Sequence, residues 1–187
     1  TAADMQCVVE SYALFLASLL LVGGALGDHF GRRRIFLIGV AIFAVASALC
    51  ALSPDVRMLI LARALQGIGG ALLVPGSLTL ISASFPQEER GRAIGTWSGF
   101  SGITAAIGPV IGGFLVDHYS WVWAFLINIP LAAAVLWIGW RHLPESRGAS
   151  ARALDVRGAL FATVGLAGAV YAFIEAPGRH WNSTAVL

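Results

Sequence analysis

Long apolar segments constrain this chain more than any other feature of its sequence. A helix needs roughly 20 mostly apolar residues to cross a bilayer. The candidate segments lie at about residues 9–27, 35–53, 58–84, 93–116, 121–140 and 157–175. Lipid offers the backbone no hydrogen-bond partner, so segments of this length must be helical, and they are too long and too uniformly apolar for barrel strands. The sequence therefore predicts an all-α membrane protein with about six transmembrane helices.

The composition supports a bilayer environment. Hydrophobic residues make up 58% of the chain and charged residues only 12%, with a mean hydropathy of +0.80. The 22 glycines favour helix packing, because small residues let helices approach closely in lipid. A net charge of only +2 gives no reason to expect a nucleic-acid partner.

The arginines predict the orientation. Those on one side are Arg32, Arg33, Arg34, Arg90, Arg92, Arg141, Arg147, Arg152 and Arg157, whereas Arg57 and Arg179 lie on the other. Positive charge stays in the cytoplasm, so the loops at 28–34, 86–92 and 141–157 are expected inside. Trp121, Trp123 and Trp181 then fall at the outer interface, and Trp97, Trp137 and Trp140 near the inner one.

This orientation places both ends of the chain outside. A missing helix before residue 1 is the simplest account, and residues 1–7, TAADMQC, are expected to form a polar loop. The longest connection, at 141–158, is polar and basic. It predicts a cytoplasmic linker at the membrane surface.

Small residues form a stripe along the fourth segment. They lie at helical spacing and are Gly95, Gly99, Gly102, Ala106, Pro109 and Gly113, with Ala105, Gly108 and Gly112 beside them. Such a face packs closely against a neighbouring helix, and a proline removes a backbone donor and bends the helix. The stripe fits static packing or a contact that moves during a conformational cycle.

The third segment carries an arginine about two turns inside the membrane. Arg63 shares a helix face with Gln66, Gly67 and Gly70, and a membrane arginine is costly and usually faces a cavity or a partner acid. A functional role is favoured, with a structural ion pair or snorkelling as the alternative. Gln66 could bind the same ligand or a neighbouring helix.

Polar residues elsewhere fit structural roles at least as well. Glu10, Asp117 and Glu175 lie near the outer boundary, where interfacial charge is more typical than proton transfer. Asn128, followed by Pro130, indicates a bend in the fifth segment at least as well as a substrate contact.

Enzyme motifs are weak or missing. Residues 99–102 read GFSG, but each histidine lies at or beyond a segment end, where it could not activate a membrane serine. No HExxH pair or phosphate-binding GxxxxGK[ST] loop occurs. We therefore expect no metal, no cofactor and no enzymatic activity, and a transporter of this kind would use an ion gradient.

Three motifs resemble the major facilitator superfamily. GALGDHFGRRR, residues 24–34, is similar to the signature between its second and third helices, with matches at Gly24, Leu26, Asp28, Gly31, Arg32 and Arg33. LILARALQGIGGA, 59–71, resembles the fourth-helix motif with its membrane arginine. IGPVIGG, 107–113, resembles the fifth-helix motif associated with antiporters.

The resemblance extends to a branch of that superfamily. SWVWAFLINIP, LPESR and LDVRGALFATVGLAGAVYAFIEAP are similar to the drug:proton antiporters with fourteen spans. The six segments would then be helices two to seven. Residues 1–143 would form an N-terminal bundle without its first helix, 144–156 a cytoplasmic linker, and 157–187 the seventh helix and the start of an outer loop. His29 and Val122 stand where the branch usually has arginine.

The resemblance implies alternating access between two helix bundles. Asp28, Arg32 and Arg90 would form a cytoplasmic charge cluster, with Gly31 and Arg33 in the same turn, and it would latch the outward-open state. Gly24 would permit contact with the other half of the polypeptide. Arg63 and Gln66 would lie in the cavity and influence proton coupling. The antiporter motif, Gly102, Gly108, Pro109, Gly112 and Gly113, would seal or bend against its neighbours.

The implied function is proton-coupled efflux of drugs or other amphipathic small molecules. The partners would be the substrate, protons, the bilayer and the remaining half of the polypeptide, in a bacterial inner membrane. Export of a specific metabolite or siderophore is an alternative. So is a non-transporting membrane scaffold or sensor.

Overall fold

The computed structural model describes residues 2–148 and 156–175, which contain seven helices and no strand. These are α1 (Ala2–Phe30), α2 (Arg32–Ala51), α3 (Val56–Ser84), α4 (Gln87–His118), α5 (Trp121–Leu126), α6 (Asn128–His142) and α7 (Val156–Glu175). The predicted all-α fold is confirmed.

Five stretches of the described residues are long and apolar enough to cross a membrane. They are Asp4–Phe30, Arg32–Ala51, Val56–Ser84, Gln87–His118 and Trp121–His142. The apolar part of α7, Arg157–Ala172, is shorter. All six predicted segments are therefore helical, and five of them meet the length expected of a span.

The helices run further than the predicted loops allow. Residues 2–7 belong to α1, with Asp4 in its first turn, where a carboxylate is favourable to the helix dipole. The expected loop at 28–34 is a single residue, Gly31, between α1 and α2. Likewise α4 begins at Gln87 within the expected loop at 86–92. Charged residues tolerate helical structure at the membrane surface, so hydropathy alone made these helices too short.

The fifth predicted segment is one span made of two helices. α5 ends at Leu126 and α6 begins at Asn128, with Ile127 in a turn between them. Pro130 has no N–H to donate to the carbonyl four residues earlier, which is that of Leu126. The break therefore lies where the sequence predicted a bend.

α3 lies at the centre of the packing, against both α1 and α2. Small residues bring the backbones together: a Cβ at Gly69 would lie 2.7 Å from the Phe43 nitrogen, and one at Gly23 would overlap the Ala71 carbonyl oxygen. α7 packs against α1, and α6 against α2. The residues that are buried on α2 and α3 are mostly small ones, glycine, alanine, serine and cysteine.

α4 is the exception. It contacts α3 and α5, its neighbours along the chain, and has no buried residue. Most of its large apolar side chains are exposed, including Phe100, Val110 and Phe114.

The predicted division at residues 143 and 156 stays a prediction. Residues 143–148 are non-helical, whereas 149–155 and 176–187 lie outside the described residues. The latter include Trp181 and Arg179, so their predicted outer location is not described.

Candidate functional site

The turn between α1 and α2 is a single residue, Gly31, whose backbone conformation favours glycine. Gly31 has a φ of 111°, a left-handed conformation that glycine adopts without steric cost. Its N–H donates to the Gly27 carbonyl (3.0 Å), and its own carbonyl accepts from the Ile35 N–H (3.0 Å). The hydrogen bonding of one helix thus passes into the next across a single residue.

An ion pair lies across this turn. The Arg32 Nε–H donates to Asp28 Oδ1 at 2.8 Å, and a second guanidinium nitrogen lies 2.8 Å from the same oxygen. The Asp28 side chain is 50% exposed and that of Arg32 22%. The structure therefore brings together two members of the predicted charge cluster at a water-accessible surface.

The segment 143–148, here called the strap, crosses the same turn. Its Ser146 carbonyl accepts from the Arg32 N–H (2.9 Å), and its Gly148 N–H donates to the Asp28 carbonyl (3.1 Å). These two backbone bonds fasten the strap to both sides of Gly31.

Glu145 of the strap serves as the cap of α2. Gly31 has no side chain with which to cap the helix, and Glu145 Oε1 accepts from the Arg33 N–H at 3.2 Å. A carboxylate at a helix N-terminus is stabilising because it meets free N–H groups and the positive end of the dipole. The same carboxylate occupies the space beside Gly31, where a Cβ would lie 2.7 Å from Oε1.

Arg33 ties the turn to α6. Its guanidinium donates to the Trp140 carbonyl at 2.6 Å. The turn is therefore held by α6 and the strap together, 107 or more residues further along the chain.

Other residues near the predicted gate are placed differently. Arg90 donates to the Phe85 carbonyl at 3.1 Å and makes no ion pair with Asp28 among the described residues, so its place in the cluster stays a prediction. A Cβ at Gly24 would meet only Pro75, at an ordinary 3.7 Å. His29 Nδ1 is buried without a hydrogen-bond partner among the described residues.

A second site surrounds Arg63, which is about 10 Å along α3 from its start. Its Nε–H donates to the Val8 carbonyl of α1 at 3.2 Å, and its Nη1 to the Gln66 side-chain oxygen at 2.6 Å. The guanidinium carbon lies 4.3 Å from the centre of the Tyr12 ring, which adds a cation–π contact.

Gln66 extends this network to α2. Its amide nitrogen donates to Ser47 Oγ at 2.7 Å; Gln66 is 1% exposed and Ser47 is fully buried. Buried polar groups need such partners in a medium without water. The network joins α1, α2 and α3, and no carboxylate of the described residues forms an ion pair with Arg63.

Sequence reasoning missed the groups that come from other elements. Ser47, Tyr12 and the strap residue Glu145 contribute through contacts between distant parts of the chain. The LPESR string was noted only as a point of resemblance, although a carboxylate following an inner helix end was a usable signal for a cap at the basic turn.

The fourth-segment stripe is exposed. A Cβ at Gly102, Gly108, Gly112 or Gly113 would meet no atom of the described chain within 4 Å. Pro109 lies inside a continuous α4. The described residues thus supply no helix against the antiporter motif, and its sealing role stays a prediction.

Comparison with known proteins agrees with this architecture. The sequence of residues 1–184 matches the family model described as Major Facilitator Superfamily. The "Methylenomycin A resistance protein" of Bacillus subtilis (strain 168) is 44% identical over 181 residues, which are 96% of this chain and 39% of that protein. The "Multidrug resistance protein Stp" of Mycobacterium tuberculosis (strain CDC 1551 / Oshkosh) is 41% identical over 180 residues, 96% of this chain and 34% of the relative.

A third relative is the "Tetracenomycin C resistance and export protein" of Streptomyces glaucescens. It is 41% identical over 186 residues, 99% of this chain and 35% of that protein. The chain thus spans between about a third and two fifths of the length of these curated relatives. With its apolar helices and bacterial relatives, the chain is a multi-pass bacterial membrane protein that belongs to the Major Facilitator Superfamily.

Proposed function

We propose that residues 1–187 are part of a proton-coupled efflux antiporter for drugs or other amphipathic small molecules. The polypeptide would work by alternating access in a bacterial inner membrane, together with a second half that completes the cavity. The relatives support this because their names refer to resistance or export. Two of those names mention different compounds and the third mentions multidrug resistance, which favours a shared export mechanism over a shared specific ligand.

The observation that carries the proposal is the fastening of the α1–α2 turn. Asp28 and Arg32 form a partly exposed ion pair, and ion pairs that water reaches contribute about 0–1 kcal/mol. Two backbone bonds and the Glu145 cap add further weak links. A turn held by several weak contacts that water can reach is ordered while all of them are formed, and breaking them costs little free energy. This suits a gate that opens and closes in each transport cycle.

Arg63 and Gln66 form the proposed coupling site. The Arg63 guanidinium has bonds to the Val8 carbonyl and to Gln66, neither of which can take up a proton at neutral pH. The titrating acid would therefore come from another part of the polypeptide. A cation held in place in the membrane favours the ionised form of such an acid and would promote proton release.

The exposed face of α4 supports the requirement for a second half. A glycine-rich face lets another helix approach closely, and that of α4 is open at Gly102, Gly108, Gly112 and Gly113. The partner helix would belong to the remainder of the polypeptide, and Pro109 would allow the contact to bend.

The test is drug efflux by the complete polypeptide in a bacterium without its own efflux pumps. Asp28→Asn removes the charge paired with Arg32, and Arg63→Ala removes the membrane cation. We expect Asp28→Asn to lower efflux by up to about fivefold, the effect of losing an ion pair of up to about 1 kcal/mol. Arg63→Ala should lower efflux by about tenfold, the effect of losing about 1.4 kcal/mol of stabilisation in the transport cycle.

Glu88→Gln and Arg141→Ala are the matched controls, since they make similar charge changes at exposed positions. Efflux that stays unchanged in Asp28→Asn and Arg63→Ala at equal expression would refute the assigned roles. Competition by one metabolite alone would indicate a specific exporter instead.

A further inference from the structure

A groove lies between the C-terminal end of α3 and the N-terminal part of α4. Its volume is about 550 Å³, within the range of small-molecule sites. The residues that define its chemistry are Ile81, Phe85, Glu89, Arg92, Trp97 and Phe100. Four of these six are apolar or aromatic, and the two charged residues lie near one end.

The two charges have no partners in the described chain. Glu89 and Arg92 are exposed and lie three residues apart, on one face of α4. Neither side chain forms a hydrogen bond or an ion pair with any described residue, in contrast to the neighbouring Arg90, which donates to the Phe85 carbonyl. The groove therefore presents one free anion and one free cation to a ligand.

The length of α4 places these charges at the level of the lipid headgroups. Its 32 residues span about 48 Å, against about 30 Å for the hydrocarbon core. The part of α4 that extends beyond the hydrocarbon core is mostly its N-terminal end, where residues 87–92 include five polar or charged side chains. Phe100 lies about 12 Å further along the helix, within the hydrocarbon.

We propose that this groove binds a phospholipid whose headgroup carries a phosphate and a primary ammonium group, as in phosphatidylethanolamine. Arg92 would donate to the phosphate, for which a guanidinium is well suited. Glu89 would accept from the ammonium group. An acyl chain would lie along Phe100 and Ile81, and Trp97 would sit at the interface that tryptophan prefers.

Charge complementarity selects this lipid over others. A choline headgroup has the positive charge but no N–H to donate to Glu89. A glycerol headgroup has the phosphate but leaves Glu89 beside a negative ligand. A soluble phosphate compound would gain nothing from the aromatic walls that continue into the hydrocarbon. The proposal does not depend on transport, because lipid retention is measured without it.

Native mass spectrometry of the complete polypeptide tests the proposal. The protein is released from nanodiscs that contain ethanolamine, choline and glycerol phospholipids with identical acyl chains in equal amounts. We expect the ethanolamine lipid to be retained about threefold over the choline lipid, the size of a partly exposed ionic contact. Successive N-methylation of the headgroup should reduce the preference stepwise, without any change to the protein.

Variants separate the two charges. Glu89→Gln should abolish the preference for ethanolamine over choline, whereas Arg92→Gln should reduce retention of all three lipids. Glu88→Gln and Arg141→Gln, which alter charges outside the groove, should leave the preference intact.

Three results would overturn the proposal. One is equal retention of the ethanolamine and choline lipids by the unaltered protein, as expected if another part of the polypeptide fills the groove. Another is strongest retention of the glycerol lipid. The third is a Glu89→Gln variant that behaves like Glu88→Gln.

Discussion

At the scale of single residues, the membrane arginine is stabilised by partners from several helices. Arg63 is held by a carbonyl and a ring of α1 and by Gln66, which is itself held by Ser47 of α2. The spacing of Arg63 and Gln66 on one helix face was readable in the sequence. Ser47 and Tyr12 were not, because periodicity along one helix gives no information about which residue of another helix it meets.

Ser47→Ala should destabilise the protein by about 1 kcal/mol. The substitution leaves the buried Gln66 amide without its acceptor, and hydrogen bonds between membrane helices contribute about that much or somewhat less. The control is Ser18→Ala, since Ser18 is also buried but bonds only to the Phe15 carbonyl of its own helix. Thermal unfolding in detergent measures both, and equal effects would contradict the network.

Gly23→Ala should destabilise the contact between α1 and α3, whereas Gly24→Ala should not. A Cβ at Gly23 overlaps the Ala71 carbonyl oxygen, and backbone cannot move aside as a flexible side chain would. Overpacking of this kind costs about 1–3 kcal/mol. At Gly24 the new methyl group meets Pro75 at an ordinary distance, so unfolding should occur at an unchanged or slightly higher temperature. A Gly23→Ala variant as stable as Gly24→Ala would contradict the close approach.

At the scale of elements, the strap holds the turn between α1 and α2 through hydrogen bonds to Asp28, Arg32 and Arg33. Hydropathy located the helices that flank Gly31, and the glycine and arginine pattern marked the turn. The cap was not predictable in the same way, because Glu145 is 112 positions from the amide it caps. The helix boundaries were also misplaced, since the charged residues that indicated a loop at 28–34 belong to the ends of α1 and α2.

Glu145→Ala should loosen the strap and speed hydrogen exchange at the amides of Arg32, Arg33 and Gly148. The loss of one charge-assisted bond corresponds to about a tenfold change in opening. Ser146→Ala is the matched control, because Ser146 contributes its backbone carbonyl and its hydroxyl has no partner among the described residues. Exchange that is the same in the two variants would show that Glu145 does not hold the strap.

At the scale of the whole molecule, the packing is uneven. α3 is surrounded by α1 and α2, whereas α4 presents an open glycine face and contacts only the elements next to it in the chain. The small-residue stripe lies on one continuous helix, α4, and its role as a packing face stays a prediction. The sequence could not predict which helix packs against the stripe, because spacing along one helix does not identify its neighbour. Among the described residues no helix covers it.

Proton movement in vesicles tests coupled efflux most directly. The complete polypeptide is reconstituted into vesicles that contain a pH-sensitive dye and have a pH gradient across their membrane. An amphipathic drug is then added to the outside solution. We expect the drug to accelerate the decay of the gradient. Asp28→Asn and Arg63→Ala should suppress this acceleration, whereas Glu88→Gln should not. Drug transport without proton movement, or full acceleration in both variants, would contradict this expectation.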